Sequence, residues 1–344
     1  MSTTVEFVIT SFKEPGPVAD LVPEILAASA GLLQLGFEFK TLFLVAPDKE
    51  TIEAGKKAYK LASKRLLKYG FKAIPDFKII KDPQKGKPFA LNLVFKQLSA
   101  DIVGFTDGDL WLPSGSVVEL FETFLDYPDI DAVTGRPVPL NSRDSMLGFW
   151  AHLTTTAGAH KHRLKAVKYN KPLNLSGYLW AAKRKFLPKR IPPTIKADDA
   201  YISHYIRQKG GKIWYNPAAR VYVLFPLNFR DWVKQKVRAI GGDHQINMLF
   251  AGKHKHAKTR ENKKKTQTPH NMRSFWAEAK GIFEALKYPK NIKEWFYFLA
   301  LVLARLYVWA LIFVEYNILK TPLKTYGWDR VESTKEVNQF MRER

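Results

Sequence analysis

Asp107-Gly108-Asp109 directly follows the apolar run Ile102-Val103-Gly104-Phe105-Thr106, so two carboxylates one residue apart close what reads as a buried strand. Hard divalent cations take oxygen ligands, and Mg²⁺ usually keeps one or two protein carboxylates together with phosphates. Asp107 and Asp109 at a strand end suit Mg²⁺ or Mn²⁺, and Gly108 removes a side chain where a ligand would have to approach closely. A solvated turn is the competing reading of a lone Asp-x-Asp. A second acidic pair, Asp198-Asp199, precedes the helical pattern Ala200–Ile206 and reads either as a helix cap or as a general base that takes a proton from an attacking hydroxyl.

Other polar residues recur at corresponding places. Thr10 ends a first apolar strand and Glu14 follows it, while Asp48 follows a second, on the edge that also carries Asp107. Glu14 and Asp48 suit nucleoside binding, Asp48 through base or ribose, or else are ordinary loop carboxylates. Lys87 opens a helix, where its ammonium and the free backbone amides can neutralise phosphate. Gln235 and Arg238 stand three apart on one helical face, with Arg238 suited to a diphosphate.

The elements that must position these residues alternate. Val5–Thr10, Thr41–Ala46, Phe77–Ile80, 101–106 and Ala132-Val133-Thr134 read as strands, with helical patterns at 18–34, 50–69, 87–98 and 115–126. Such alternation predicts a doubly wound α/β sheet with ligands beyond the carboxyl ends of the strands. From 136 to 250 the pattern is mixed. A helix near 143–168 leads to the extended Leu173–Ala182 segment with Ser176-Gly177, then come a helix from Asp198, a strand near 212–224 and a helix from about 228.

Residues 251–270 read as a basic linker and 321–344 as a tail. Between 273 and 287, Phe275, Trp276, Ala279, Ile282, Phe283 and Leu286 form a stripe suited either to a membrane interface or to the protein's own core. Trp295–Leu319 is almost wholly apolar and as a helix would extend roughly 37 Å, enough for a hydrocarbon core of about 30 Å. Arg305 and Glu315 count against a simple span, because charges inside lipid are costly. A span, a helix seated in one leaflet and a buried soluble helix all remain open. Truncation after residue 270 is expected to release a soluble protein.

The 344 residues carry 55 Lys and Arg against 32 Asp and Glu, an excess of +23 that calls for an anionic partner. The absence of cysteine excludes disulfides and thiolate metal sites. No charged segment and long apolar stretch precede the first strand, so a cleaved signal peptide is not expected.

Taken in order, the motifs over roughly residues 3–245 resemble those of inverting family 2 glycosyltransferases with the GT-A fold. They are Glu14, Gly86-Lys87 with Ala90-Leu91-Asn92, Asp107-Gly108-Asp109, Thr134-Gly135-Arg136, Ser176-Gly177, Ala197-Asp198-Asp199, Gly210–Ala218 and Gln235-x-x-Arg238. The resemblance implies a Rossmann-like, mainly parallel sheet in residues 1–250, with amphipathic and membrane-associated helices in 271–320. It implies donor contacts at Thr10, Glu14, Asp48, Lys87, Asp107 and Arg238, and a metal, Mg²⁺ or Mn²⁺, on Asp109 with Asp107 assisting. Asp199 would be the base, with Asp198 beside it, and Ser176, Gly177 and Gln235 would line the acceptor. Polymer-forming members carry Trp after Gln-x-x-Arg, but here Ala239 follows Arg238, and Ala197 replaces their Thr. One sugar per encounter is therefore expected.

The expected partners are a nucleotide-diphospho-sugar donor, a lipid-linked or polyprenyl-phosphate acceptor, and a membrane carrying the catalytic domain on its cytoplasmic side. A nucleotidyltransferase that makes sugar nucleotides leaves the second acidic pair unexplained. A basic nucleic-acid-binding protein should show a recognisable motif or a basic stripe with interleaved aromatics; neither is found, and no nucleic acid is expected.

Overall fold

In the computed structural model, residues 2–254, 285–318 and 332–334 are described. The first half follows the alternating pattern: β1 (Thr3–Thr10), α1 (Pro15–Gln34), β2 (Phe37–Ala46), α2 (Lys49–Lys68), β3 (Asp76–Lys81), α3 (Lys87–Phe95) and β4 (Ile102–Asp107). β1 pairs in parallel with both β2 and β4, and β2 with β3. Val5–Thr10 and Thr41–Ala46 are buried along their whole length, the signature of strands covered on both faces. α1 is long and apolar enough to cross a membrane, yet Leu21, Val22, Ile25 and Leu26 pack into the core beneath the sheet.

The second half adds β5 (Leu110–Trp111), α4 (Ser116–Asp126), β6 (Ala132–Pro139), α5 (Met146–His152), a π-helical stretch (Leu153–His160), α6 (Lys161–Lys168), β7 (Leu179–Lys183), α7 (Asp198–Gln208), β8 (Ile213–Val223) and α8 (Phe229–His254). The strand order is β3-β2-β1-β4-β7-β6-β8-β5. β7 enters antiparallel between β4 and β6, so the sheet is parallel on one side and mixed on the other. β7 brings Tyr178, just before its first residue, to the edge where β4 ends: Leu179 pairs with Thr106.

A third apolar cluster lies outside the sheet. α9 (Ile292–Phe313) sets Phe298, Leu301, Ala304, Val308 and Ile312 against Phe149 and Trp150 of α5 and Trp232, Val237 and Ile240 of α8. The Trp150 indole donates to the Tyr297 carbonyl at 2.7 Å. Arg143 makes a bidentate pair with Glu294 at 2.7 and 2.9 Å, and its guanidinium lies 4.4 Å from the centre of the Tyr288 ring. α9 is thus part of the folded unit along one face. Cutting after residue 270 would bare Phe149 and Trp150, so simple release of a soluble protein is not what this packing predicts. The opposite face, with Phe296 (68 % exposed), Leu299, Leu303, Tyr307 and Phe313, is open. The stripe at 273–287 lies outside the described residues up to 284, as does the basic linker from 255 onward.

The bidentate pair gives a stability prediction. Arg143→Ala should cost about 1.5–3 kcal/mol, the range for a charge-assisted hydrogen bond. Thermal melts in detergent should show Glu294→Ala costing about as much, with little further loss in the double variant. Additive losses would mean the two side chains act independently.

Candidate active site

The site forms where β1, β4 and β7 end. β1 and β4 finish in register, Thr10 opposite Asp107, and the Thr10 hydroxyl donates to Asp107 Oδ1 at 3.1 Å. Gly108 sits where a Cβ would lie 2.3 Å from Ser11 Oγ and 2.5 Å from Glu14 Oε2, so only glycine lets the acidic turn close onto the loop after β1. That loop is braced from within. The Ser11 hydroxyl donates to buried Glu14 at 2.8 Å, and the Glu14 amide donates to the Thr51 hydroxyl at 2.9 Å.

Asp48 is the N-cap of α2. Its carboxylate accepts from the Thr51 amide at 2.9 Å and the Lys13 amide at 2.8 Å. Burial pushes its carboxyl up, but these hydrogen bonds outweigh burial and hold it below the usual range. Structurally Asp48 ties the first two loops together. Both of its oxygens are already engaged with amides.

Lys87, at the first turn of α3, reaches across to both acidic motifs. Its ammonium lies 2.5 Å from Asp107 Oδ1 and 3.4 Å from Asp198 Oδ2. Burial pulls the ammonium down, but Asp107, Asp198 and Asp199 together hold it above the ordinary lysine range. Burial pushes the Asp107 and Asp198 carboxyls up, against Lys87, and Asp109 adds to the effect on Asp107. Thr10, Lys87, Asp107, Gly177 and Asp198 line one pocket with Leu91, Phe105, Thr106 and Trp180.

Ala197, not an aspartate, is the N-cap of α7, and it makes no side-chain cap bond. Asp198 and Asp199 fall in the first turn, where two carboxylates face the positive end of the helix. Asp198 turns to Lys87, whereas Asp199 accepts from the Gly177 amide at 3.1 Å and the Ala200 amide at 2.8 Å. Asp199 therefore stands against the Ser176-Gly177 turn. That turn is held from both sides: the Ser176 amide donates to Thr134 Oγ1 at 2.9 Å, and the Leu175 amide to Ser203 Oγ at 2.8 Å. Ser203 in turn donates to the Asp199 carbonyl at 2.6 Å.

α8 closes the site. A Cβ on Gly242 would lie 2.7 Å from Ala197 Cβ, so α8 crosses close over the start of α7. Burial pushes the Tyr178 hydroxyl above its ordinary range; Asp109, Asp107 and Asp199 add to this and Arg238 opposes it. Arg238 thus shares one electrostatic neighbourhood with the acidic motifs. Gln235 Oε1 is buried with no hydrogen-bond partner among the described residues, and Gln235 is not brought into hydrogen bonding with Ser176 or Gly177. Tyr178 and Ser203 take part in the site although no sequence motif names them, and Thr134 of the Thr134-Gly135-Arg136 motif gains its role by accepting from the Ser176 amide. Tyr178 follows Ser176-Gly177 directly, which was the available signal. Ser203 stands one turn after Asp199, which became informative only once the helix start was known.

A curled mixed α/β sheet with these carboxylates gathered at its strand ends is the arrangement of a GT-A glycosyltransferase. The model of the family described as Glycosyltransferase like family 2 matches residues 71–242, and the chain belongs to that family. Poly-beta-1,6-N-acetyl-D-glucosamine synthase of Staphylococcus aureus is 24 % identical over 251 residues, 70 % of this chain and 55 % of the relative. The synthase of the same name from Staphylococcus epidermidis is 27 % identical over 187 residues, 52 % of this chain and 44 % of the relative. The chain thus spans about half the length of these relatives. A mannosyltransferase from Pyrobaculum calidifontis, solved in complex with GDP-Man and Mn²⁺, shares the fold with a TM-score of 0.55 at 16 % identity, over 90 % of this chain and 83 % of that one.

Proposed function

We propose that this glycosyltransferase moves one sugar per encounter, with inversion, from a nucleotide-diphospho-sugar to a hydroxyl or phosphate of a lipid-linked acceptor at a membrane surface. The observation that carries the reading is the division of labour between the acidic motifs. Asp107 and Asp198 are tied to Lys87, while Asp199 faces the Ser176-Gly177 turn.

In this reading Asp109 and Asp107 hold Mg²⁺ or Mn²⁺. The donor set fits: two carboxylates leave positions for phosphate oxygens, and the glycine between them leaves room for close approach. Among the described residues no group of three or more His, Cys, Asp or Glu side chains gathers as a metal cage, consistent with a site completed by the donor. When bound, the cation offsets charge on the diphosphate leaving group. Lys87 and Arg238 add positive charge on the same side, and Thr10 and Glu14 shape the nucleoside end with Asp48 behind them. Asp199 accepts the proton of the attacking acceptor oxygen. The Gly177 amide orients its carboxylate, and Ser203 fixes the turn that carries the acceptor. The Mn²⁺ and GDP-Man held by the Pyrobaculum mannosyltransferase are consistent with this assignment.

Membrane association is read from α9. Its exposed stripe of Phe296, Leu299, Leu303, Tyr307 and Phe313 recurs at helical spacing opposite the face packed on α5 and α8. A helix with one face on protein and the other apolar and open suits a position in one leaflet, parallel to the surface. Glu315, just beyond it, acts electrostatically on Lys196, two residues before Asp198. The lipid-facing helix therefore leads back to the catalytic turn, which suits an acceptor drawn from the bilayer.

Titration calorimetry tests the metal assignment. Donor should bind more tightly with Mn²⁺ than without it, and Asp109→Ala should abolish the difference. Metal-independent affinity that is equal in wild type and Asp109→Ala would remove the cation from the reading.

A further inference from the structure

The sequence motif Thr134-Gly135-Arg136 contributes Thr134 to the acceptor turn, but Arg136 is not used by the mechanism above. Arg136 stands on β6 just past the register shift at Gly135, on the strand that pairs with β8. Thr134 is the register partner of Tyr215, a fully buried tyrosine whose hydroxyl lies 2.7 Å from His160 Nδ1. The Arg163 guanidinium lies 5.6 Å from the Tyr215 ring centre, within cation–π range.

Three elements therefore bring basic side chains around one tyrosine. The helix that delivers His160 and Arg163 is irregular at this point. Leu153–His160 is a π-helical stretch between α5 and α6, and the Thr154 and Thr155 hydroxyls bond back to Trp150 and Ala151 carbonyls at 2.8 and 2.7 Å. Such π segments inside α-helices frequently mark functional sites. Without the widened turn, His160 and the residues after it would be rotated relative to α5, whose own position is fixed by Phe149 and Trp150 against α9.

The charges that act on His160 are Arg136, Arg163 and Lys161, all cationic; together with burial, which is the largest cause, they hold the imidazole below its ordinary range. Tyr215 likewise feels Arg163 and Arg136. Gathering guanidinium groups around a buried hydroxyl costs free energy through like-charge repulsion, and a bound anion removes that cost. The position is equally specific. Thr134, the register partner of Tyr215, accepts from the Ser176 amide, and the next amide of that turn, Gly177, donates to Asp199. The cluster thus flanks the acceptor turn, on the helix that packs against the lipid-facing α9.

We propose that Arg136, Arg163 and His160 form a binding site for a phosphate group carried by the acceptor, a specificity element that deepens the lipid-linked reading above and rests on it. Two guanidinium forks supply parallel donors to phosphate oxygens, and the imidazole supplies a further donor.

The test uses the full chain in detergent and reads binding by tryptophan fluorescence or calorimetry. The probes are a short polyprenyl monophosphate, the polyprenol of the same length, and glycerol phosphate. Wild type should bind the lipid phosphate about 10-fold or more tightly than the alcohol, the effect of one charge-assisted hydrogen bond. Arg136→Gln and Arg163→Gln should each remove most of that preference, and Arg163→Lys should keep part of it. Thermal shifts with a nucleotide-sugar panel should show that each variant is folded and still binds donor.

Equal affinity for phosphate and alcohol in wild type, or a preference that survives both Gln variants, would overturn the site. Displacement of the lipid phosphate by glycerol phosphate would support the site and point to a soluble phosphorylated acceptor. A phosphate preference lost in the variants, in a protein that binds no nucleotide-sugar, would keep the anion site and reject the donor reading. Donor binding without phosphate preference would do the reverse.

Discussion

Asp199→Asn is expected to lower sugar transfer by about 10²- to 10⁴-fold, the usual contribution of general-base assistance, while leaving donor affinity nearly unchanged. The split follows from geometry. Asp199 meets the Gly177 and Ala200 amides and has no ion pair with Lys87. The two amides bond different oxygens of Asp199, so asparagine keeps size and one of those two acceptors but cannot take a proton at neutral pH. A base acts in the transition state, so product formation at saturating donor should fall while donor binding holds. Asp198→Asn should behave differently: it loosens the Lys87 bridge and should weaken donor binding along with turnover. Near-normal turnover in Asp199→Asn with collapse in Asp198→Asn would move the base to Asp198. Activity in both would make the pair structural.

Lys87→Met should be the most destabilising single change in the site. It leaves Asp107 and Asp198 facing each other with no ammonium between them, their side chains only 25 % and 10 % exposed. Removing one partner of a buried pair costs about 3–5 kcal/mol, and the partial exposure of Asp107 favours the low end. The cost should depend on pH with a definite sign. Both carboxyls already sit above the ordinary carboxylate range, chiefly through burial, and loss of Lys87 raises them further. Carboxyls with raised folded-state values are protonated more readily in the folded protein than in the unfolded one. The penalty is therefore absent below about pH 4, grows as pH rises from there toward the folded-state values, and levels off above them. Denaturant melts should show wild type and Lys87→Met converging at acid pH and diverging toward neutrality. A difference independent of pH would mean that Lys87 contributes packing rather than charge.

Much of the parallel half was legible because its strands are buried on both faces and its helices carry clear apolar stripes. Asp107-Gly108-Asp109 could be placed at a strand end for the same reason. The direction of β7 could not be read: Leu179-Trp180-Ala181-Ala182 is apolar on both sides and says nothing about which way it runs between β4 and β6. Two-residue β5 is too short to leave a pattern. Local sequence also could not reveal that Lys87 meets Asp198, because that contact joins the starts of α3 and α7 across the site. Asp48 shows the reverse limit. A loop carboxylate after a strand suits a nucleoside or a helix cap equally well until Thr51 and Lys13 are seen to donate to it.

The packing of α9 also constrains the order in which the molecule can mature. Phe149 and Trp150 acquire their cover from residues 298–312, roughly half the chain away, so the third cluster closes only through contacts of very long sequence separation. Such contacts form late, because loop closure is unfavourable until they are made. During synthesis the sheet can assemble while α5 and α8 still present bare tryptophans. The arm that bears the acceptor turn's neighbours is then braced only once residue 312 has emerged and docked. An arrested chain ending near residue 254 should carry a formed parallel half and an α5–α8 side without its brace. The bracing of that arm would then arrive in the same step as the exposed apolar face of α9.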